Sequence, residues 1–182
     1  MTLKNEDEEF CIKSKIFVLT YNMEIIQYES FNHYDKLYEM FKKIKLYLKR
    51  KNSKINRLDF PEHRGAVFGI IKPKFKSKPE LSYYSRKCPE IYEEIMRIGK
   101  IICPFEFQSI QVNHNLVCPK HRDKNNKTRS ILVSFGDYTG GEIVIEGEKY
   151  SAYHKPIEFD GSKLEHWNEP IEGDKYSLIF FS

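Results

Sequence analysis

The chain has 182 residues, of which 40% are hydrophobic and 14% aromatic, and its formal net charge is +4. This length and composition fit one domain that buries its own core, and the four scattered cysteines, without a Cys-x-x-Cys pair, favour free thiols over a disulfide framework or a zinc knuckle. With an acidic start and no apolar stretch of membrane-spanning length, the chain is expected to be intracellular, cytoplasmic or nuclear and not secreted, with no membrane partner.

The N-terminal part alternates strand and helix patterns. Apolar β-branched runs predict strands at residues 16–21, 24–28 and 66–71, and apolar residues at three- and four-residue spacing predict helices at residues 34–51 and 89–101. Between the third strand and the second helix, residues 72–79 form a basic segment interrupted by prolines, which predicts a mobile loop.

The positive charge is concentrated in residues 36–100, whereas both ends of the chain are net acidic. A polyanionic macromolecular substrate such as nucleic acid would explain this pattern. Lysine-rich helix faces are also often only solvated surface, so both interpretations remain open.

From residue 105 onward the pattern is all β. Short apolar runs at residues 107–112, 130–135, 142–146, 149–153, 156–159 and 176–181 are separated by Asn, Asp and Gly clusters. We therefore predict a single α+β domain over residues 1–182. Its residues 105–182 form a jelly roll, and residues 1–104 supply helices, strands and candidate substrate-binding elements packed against it.

A metal site is predicted from three residues. His121 and Asp123 are two positions apart, so an extended strand places both side chains on one side, within reach of one ion. His166 precedes the last strand, and a jelly roll can bring it beside that pair. Two histidines and one carboxylate leave coordination positions open, which suits iron(II) and dioxygen chemistry. Use of the same ligands by a cupin or a zinc hydrolase remains an alternative.

A lysine supports this site. Lys175 is the only cation in the apolar strand 175–181, and a buried ammonium requires a negatively charged partner, for which the far carboxylate of 2-oxoglutarate is suitable. Ser177, on the same side of the strand, can donate to that carboxylate. His154 is also followed nine residues later by a lysine, Lys163, but that lysine lies in a turn without a buried pocket.

Residues 113–181 resemble the iron(II)- and 2-oxoglutarate-dependent dioxygenases. The resemblance rests on five motifs: His121-x-Asp123, Phe135-Gly-Asp-Tyr-Thr-Gly-Gly-Glu142, Phe159-Asp160-Gly161, His166-Trp167 and Gly173-Asp174-Lys175-Tyr176-Ser177-Leu178. The motifs are most similar to the branch related to the TET and JBP nucleobase dioxygenases and to small algal and viral homologues.

The resemblance implies a double-stranded β-helix, with iron(II) at His121, Asp123 and His166. It also implies 2-oxoglutarate on the metal and dioxygen as the second co-substrate. Asn113 and Asn125 are candidate co-substrate contacts by the same resemblance. The chain departs from this branch at Lys175, where arginine is usual, whereas lysine is familiar in prolyl hydroxylases.

Three functions are compatible with these observations. The first is hydroxylation of a nucleobase in DNA or RNA, and the second is hydroxylation of a prolyl or lysyl side chain. The third is a non-catalytic β-sandwich that binds a partner, which the intact ligand set and the basic anchor disfavour.

Overall fold

The structure is a computed structural model that describes residues 25–46, 64–73, 78–123 and 128–182. The predicted strand at residues 16–21 lies outside the described residues. The elements are β1 (Ile25–Gln27), α1 (Asp35–Lys42), β2 (Arg64–Ile71), β3 (Glu80–Leu81), α2 (Tyr83–Lys87), α3 (Pro89–Ile102), β4 (Ser109–His114), β5 (Ser130–Gly140), β6 (Ile143–Ile145), β7 (Glu148–Tyr150), β8 (Ile157–Phe159), β9 (His166–Asn168) and β10 (Ile171–Phe181).

Two antiparallel sheets make up the β structure. The large sheet has seven strands in the order β1-β8-β5-β10-β4-β2-β3, and the small sheet has three in the order β7-β6-β9. The small sheet packs over β5 and β8 through a hydrophobic cluster that includes Leu132, Ile143, Ile145, Ile157 and Phe159. Strands from both halves of the chain therefore contribute to the large sheet, and its β5–β8 side forms a sandwich with the small sheet.

Strand β10 shows how the large sheet divides the molecule. Because side chains alternate along a strand, Tyr176, Leu178 and Phe180 point to one face, where all three are buried in the larger core. Lys175 and Ser177 point to the opposite face and line a cavity. The two faces of one strand thus serve different purposes.

The helices cover the face that carries Tyr176. In α1, Leu37 and Phe41 are fully buried, and the Phe41 ring stacks on Tyr176 with 5.1 Å between ring centroids. Helix α3 buries Ile91, Ile95, Ile98 and Ile102 in the same core. This apolar spacing is what predicted the helix, and Pro89 at its first turn starts it without the loss of a hydrogen bond.

The helix and strand predictions are largely confirmed, with the following differences. The predicted helix at residues 34–51 is too long, because α1 ends at Lys42; Leu46, beyond the helix, is buried. Residues 47–51 lie outside the described part of the chain. Strands β3 and β9 and helix α2 have no counterpart in the sequence patterns, because each is too short to show a period.

None of the helices in the described part of the chain is long and apolar enough to cross a bilayer.

Candidate metal centre and co-substrate cavity

Three potential metal ligands converge at one end of the space between the two sheets. One donor atom from each of His121, Asp123 and His166 lies within 4.8 Å of the others. His121 Nε2 is 3.5 Å from Asp123 Oδ1, and His166 Nε2 is 3.7 Å from Asp123 Oδ2. Within the described residues, this is the one group of three such side chains that could hold an ion.

Backbone hydrogen bonds hold these residues together. His121 and His166 form a two-way antiparallel bridge, with N–O distances of 3.0 and 2.9 Å. The N–H of Asp123 donates to the carbonyl of Gly161 at 2.8 Å. The three side chains are therefore placed by main-chain pairing between the segment that follows β4 and the β8–β9 connection.

The second nitrogen of each imidazole is hydrogen-bonded to a carbonyl. His121 Nδ1 is 2.7 Å from the carbonyl oxygen of Pro119, and His166 Nδ1 is 2.9 Å from that of Leu164. A carbonyl can only accept, so each Nδ1 carries the hydrogen and each neutral ring presents the Nε2 lone pair toward Asp123. Burial also lowers the pKa of His166, which favours the neutral ring. Such an arrangement suits metal ligation.

Gly161 allows the close packing of this centre. A Cβ at this position would lie 2.9 Å from Asp123 Oδ2 and 3.2 Å from His166 Cε1. The Phe159 ring packs edge-on against His166, with 5.1 Å between centroids. The motif Phe159-Asp160-Gly161, noted in the sequence, therefore supports the ligands by shape.

A cavity of about 260 Å³ extends from the three ligands along the face of β10. Its apolar lining includes Leu132, Ile143, Phe159, Ile179 and Phe181, and its polar lining includes Gln111, Asn113, Asn168, Lys175 and Ser177. Such a mixture of apolar walls with a few polar groups is typical of small-molecule sites.

Lys175 lines this cavity and is only 5% exposed. Its ammonium donates to the carbonyl of Gly141 and lies 5.4 Å from the centroid of the Tyr138 ring. Burial lowers the pKa of Lys175 to about 8, although nearby Glu142 and Cys118 act to raise it. Lys175 forms no ion pair with any other residue that the structure describes, and its ammonium donates to a carbonyl instead. Its charge is therefore available to a ligand.

The residues present fit iron(II) and 2-oxoglutarate. The imidazole and carboxylate donors are those that non-haem iron uses, and they leave the cavity side of an ion open. A buried ammonium without an ion-paired carboxylate among the described residues, in the same cavity, matches the far end of a dicarboxylate.

The structure places most of the predicted co-substrate residues in the cavity wall. Ser177 and Asn113 are paired across β10 and β4, so their side chains share the cavity face. Asn125 lies outside the described residues. Gln111, which the sequence analysis did not single out, donates from its amide nitrogen to the Asn113 side-chain oxygen at 3.2 Å. Its period-2 spacing from Asn113 was the available signal.

The rival histidine and lysine are elsewhere. His154 stacks on Tyr153 with 4.2 Å between centroids and is not part of the ligand group. Lys163, whose side chain is exposed, forms an ion pair with Asp160 at 3.1 Å. Trp167 is adjacent to the ligand His166 but does not line the cavity, because alternation along β9 turns it to the other side, where Lys120 lies 5.0 Å from its ring centroid.

A polar network centred on the buried Glu158 lies next to residues of the cavity wall. The carboxylate of Glu158 accepts hydrogen bonds from Tyr28 and from Arg129, and Glu158 is itself buried. Arg129 precedes Ser130, which lines the cavity, and Glu158 precedes Phe159, which contacts His166. The network thus joins Tyr28, which follows β1, and Glu158 in β8 to Arg129, which precedes β5.

No protein-family model matches the sequence, and no curated protein matches it. Several solved structures share its fold. NgTET1 in complex with 5mC DNA aligns over 87% of this chain and 71% of its own, with 13% identity and a TM-score of 0.58. A 2OG-Fe(II) oxygenase family oxidoreductase from Burkholderia pseudomallei aligns over 88% of this chain and 84% of its own, with 13% identity and a TM-score of 0.54.

OsALKBH1 aligns over 87% of this chain and 98% of its own, with 11% identity and a TM-score of 0.52. Each of these likenesses extends over 87% or 88% of the chain, which is more than the C-terminal motifs alone span. The predicted α+β fold with a double-stranded β-helix is therefore confirmed, and the chain has the fold of the 2-oxoglutarate- and iron(II)-dependent oxygenases.

Proposed function

We propose that this protein is an iron(II)- and 2-oxoglutarate-dependent dioxygenase that hydroxylates a C–H bond. The observation that carries the proposal is the pairing, in one cavity, of a His-Asp-His group with a buried lysine that has no ion-paired carboxylate among the described residues. A metal site alone would suit many reactions. The buried cation adds the requirement for a small anionic co-substrate.

Each cavity residue has a defined task in this proposal. His121, Asp123 and His166 would hold iron(II), and Lys175 would bind the far carboxylate of 2-oxoglutarate. Ser177 and Asn113 lie on the same face and would donate hydrogen bonds to the co-substrate. The apolar walls at Leu132, Ile179 and Phe159 would exclude water, and no side chain needs to act as a general base.

Bound iron(II), with 2-oxoglutarate and dioxygen, supplies the oxidising power, so that the substrate gains a hydroxyl group while succinate and carbon dioxide are released. Release of succinate that requires both iron(II) and 2-oxoglutarate, measured over a panel of candidate substrates, tests the proposal. Wild-type protein that binds neither the metal nor 2-oxoglutarate would contradict it. Binding of both without succinate release on any substrate would favour the non-catalytic alternative.

For the substrate, we propose a nucleobase in DNA or RNA. Support comes from the basic loop between β2 and β3. Gly69 in β2 pairs with Ser109 in β4, which pairs with Phe181 in β10, and Phe181 lines the cavity. The exposed residues Lys72 and Lys78 therefore lie at the end of the sheet that carries Phe181, a residue of the cavity wall.

The basic helix does not add to this surface. Helix α1 packs on Tyr176 and Phe135, on the face of the large sheet opposite the cavity. Of the two basic regions, the support for a nucleic-acid substrate therefore comes from Lys72 and Lys78 and not from α1. The likeness to NgTET1, which was solved in complex with 5mC DNA, is further support for a nucleic-acid substrate.

Charge-reversal variants distinguish the contributions of the two basic regions to oligonucleotide binding. Lys72→Glu with Lys78→Glu should weaken binding of a single-stranded oligonucleotide and reduce its salt dependence, by about 0.7 in the log–log slope for each phosphate that is no longer neutralised. The matched control is Lys43→Glu with Lys45→Glu near the end of α1, which makes the same charge change on the opposite face. Equal effects of both pairs would contradict the loop assignment.

Hydroxylation of a prolyl or lysyl side chain is the second candidate. The observation that favours it is lysine, not arginine, at position 175, because the resemblance associates lysine there with prolyl hydroxylases. Succinate release with proline- or lysine-containing peptides, but not with oligonucleotides, would select this function.

A further inference from the structure

Gly141 lies in the turn between β5 and β6, directly against the side chain of Lys175. Its φ is +68°, a conformation that disfavours residues with a Cβ, and its N–H donates to the carbonyl of Pro170 at 2.7 Å. In the sequence, the Gly140-Gly141 pair indicates only a turn. The turn is present, but Gly141 also has a second role.

The missing side chain of Gly141 leaves the space that Lys175 occupies. A Cβ on Gly141 would lie 3.0 Å from Lys175 Nζ and 3.2 Å from Lys175 Cδ, and 2.8 Å from Ile171 Cγ1. The carbonyl of the same residue accepts the hydrogen bond from the ammonium. One residue therefore provides both the space and the acceptor for the end of the lysine.

The rest of Lys175 has little freedom to move away. Its backbone N–H donates to the side chain of Asn115 at 2.8 Å, and its side chain is buried against the Tyr138 ring. The groups that hold the ammonium are a carbonyl and a ring face, both without net charge. These two groups position the ammonium without neutralising it, so its positive charge can still attract an anion.

We infer that Gly141 is a positioning residue for the co-substrate: its carbonyl and its bare Cα fix the ammonium of Lys175 where the far carboxylate of a dicarboxylate can meet it. The inference rests on the proposed function, because it takes 2-oxoglutarate as the anion. Gly141 itself need not touch the co-substrate.

Replacement of Gly141 by alanine tests this role. In Gly141→Ala the methyl group displaces the ammonium, and we expect 2-oxoglutarate to bind at least about tenfold more weakly to protein loaded with Mn(II), measured by calorimetry without turnover. The affinity for Mn(II) itself should stay as in the wild type. Wild-type affinity for 2-oxoglutarate in a folded Gly141→Ala protein would overturn the inference.

Two further variants separate this effect from strain in the turn. Gly147 has a φ of +89°, and apart from Gly147 and its two chain neighbours no described residue has an atom within 4 Å of the position that a Cβ would take there. Gly147→Ala therefore carries the backbone strain alone and should leave 2-oxoglutarate binding unchanged. If Gly141→Ala does not fold, Ile171→Ala in the same chain removes the tightest contact of the new methyl group. A folded double variant with wild-type affinity would also overturn the inference.

The lysine can also be observed directly in the wild type. In protein with ¹⁵N-labelled lysine, we expect one slowly exchanging ammonium signal, which Lys175→Met removes and Gly141→Ala shifts. The absence of such a signal would contradict the fixed position of the Lys175 ammonium. Failure of the proposed function has a different appearance: the wild type would not bind 2-oxoglutarate at all, although this signal would be present.

Discussion

The two faces of the large sheet differ in how completely they are covered. One face is sealed by α1, α2 and α3 over a core that includes Phe41, Phe135 and Tyr176, whose rings stack on one another. The other face is covered only in part by the three-stranded sheet and retains the cavity. Stability therefore depends mainly on the first face, and chemistry on the second.

Strand β10 contributes to both faces at alternate residues. Tyr176 and Leu178 are buried among apolar side chains, whereas Lys175 is a buried cation that lowers stability unless a ligand is bound. A protein gains nothing in stability from such a residue. Its presence is explained by binding, and substitutions on the two faces should have separable effects.

The largest effect is expected on the sealed face. Phe41→Ala removes a fully buried ring and should lower the free energy of unfolding by about 3–5 kcal/mol, measured by urea denaturation. Tyr83→Ala, at a ring that is 45% exposed, is the control and should change it far less. Metal affinity of the folded fraction should remain unchanged, and a parallel loss of it would show that the two faces are coupled.

On the cavity face, Asp123→Ala should weaken metal binding by more than about 100-fold, because even residues that only orient a ligand contribute about 10- to 100-fold. The unfolding free energy of the metal-free protein should change little, since Asp123 is 40% exposed in its side chain. Asp137→Ala, at an exposed carboxylate on β5, provides the control. Metal affinity that survives the loss of Asp123 would remove it from the ligand set.

Lys175→Met should weaken 2-oxoglutarate binding by about 100-fold, as expected when one partner of a buried charge pair is truncated. Iron binding should be nearly intact, and the metal-free protein should be as stable as the wild type or more stable, because a buried charge is removed. Lys163→Met is the matched control, and it also tests the rival lysine nine residues after His154. A larger effect at Lys163 would reverse the assignment.

The smallest effect is a pH dependence. Because burial lowers the pKa of Lys175 from 10.5 to about 8, the ammonium is lost above that pH, and 2-oxoglutarate affinity should then fall by about tenfold per pH unit. Between about pH 8 and 10.5 the unfolded chain binds more protons than the folded one, so this residue makes the metal-free protein more stable as pH rises. Both trends should disappear in Lys175→Met; calorimetry and thermal unfolding measure them.

The sequence determined the local features of this protein. The period of apolar residues predicted α3 within one residue, and the alternation around Lys175 assigned that residue and Ser177 to one side of a strand. The spacing of His121 and Asp123 indicated a shared ion. These conclusions depend only on neighbours in the chain, for which the geometry of a helix or a strand is sufficient.

Only the tertiary structure decided which residues that are distant in sequence come into contact, and on which face of the large sheet the basic residues lie. Strand pairing over long sequence distances brings His166 to His121, as the predicted jelly roll had led us to expect. It also places Gly141 against Lys175, a contact that no local pattern predicts. The same holds for the basic residues: their composition left open whether they bind a polyanion or are only solvated surface, and packing put α1 on the face away from the metal. Charge can be read from a sequence, whereas the side of a sheet on which it lies depends on which apolar residues must be buried.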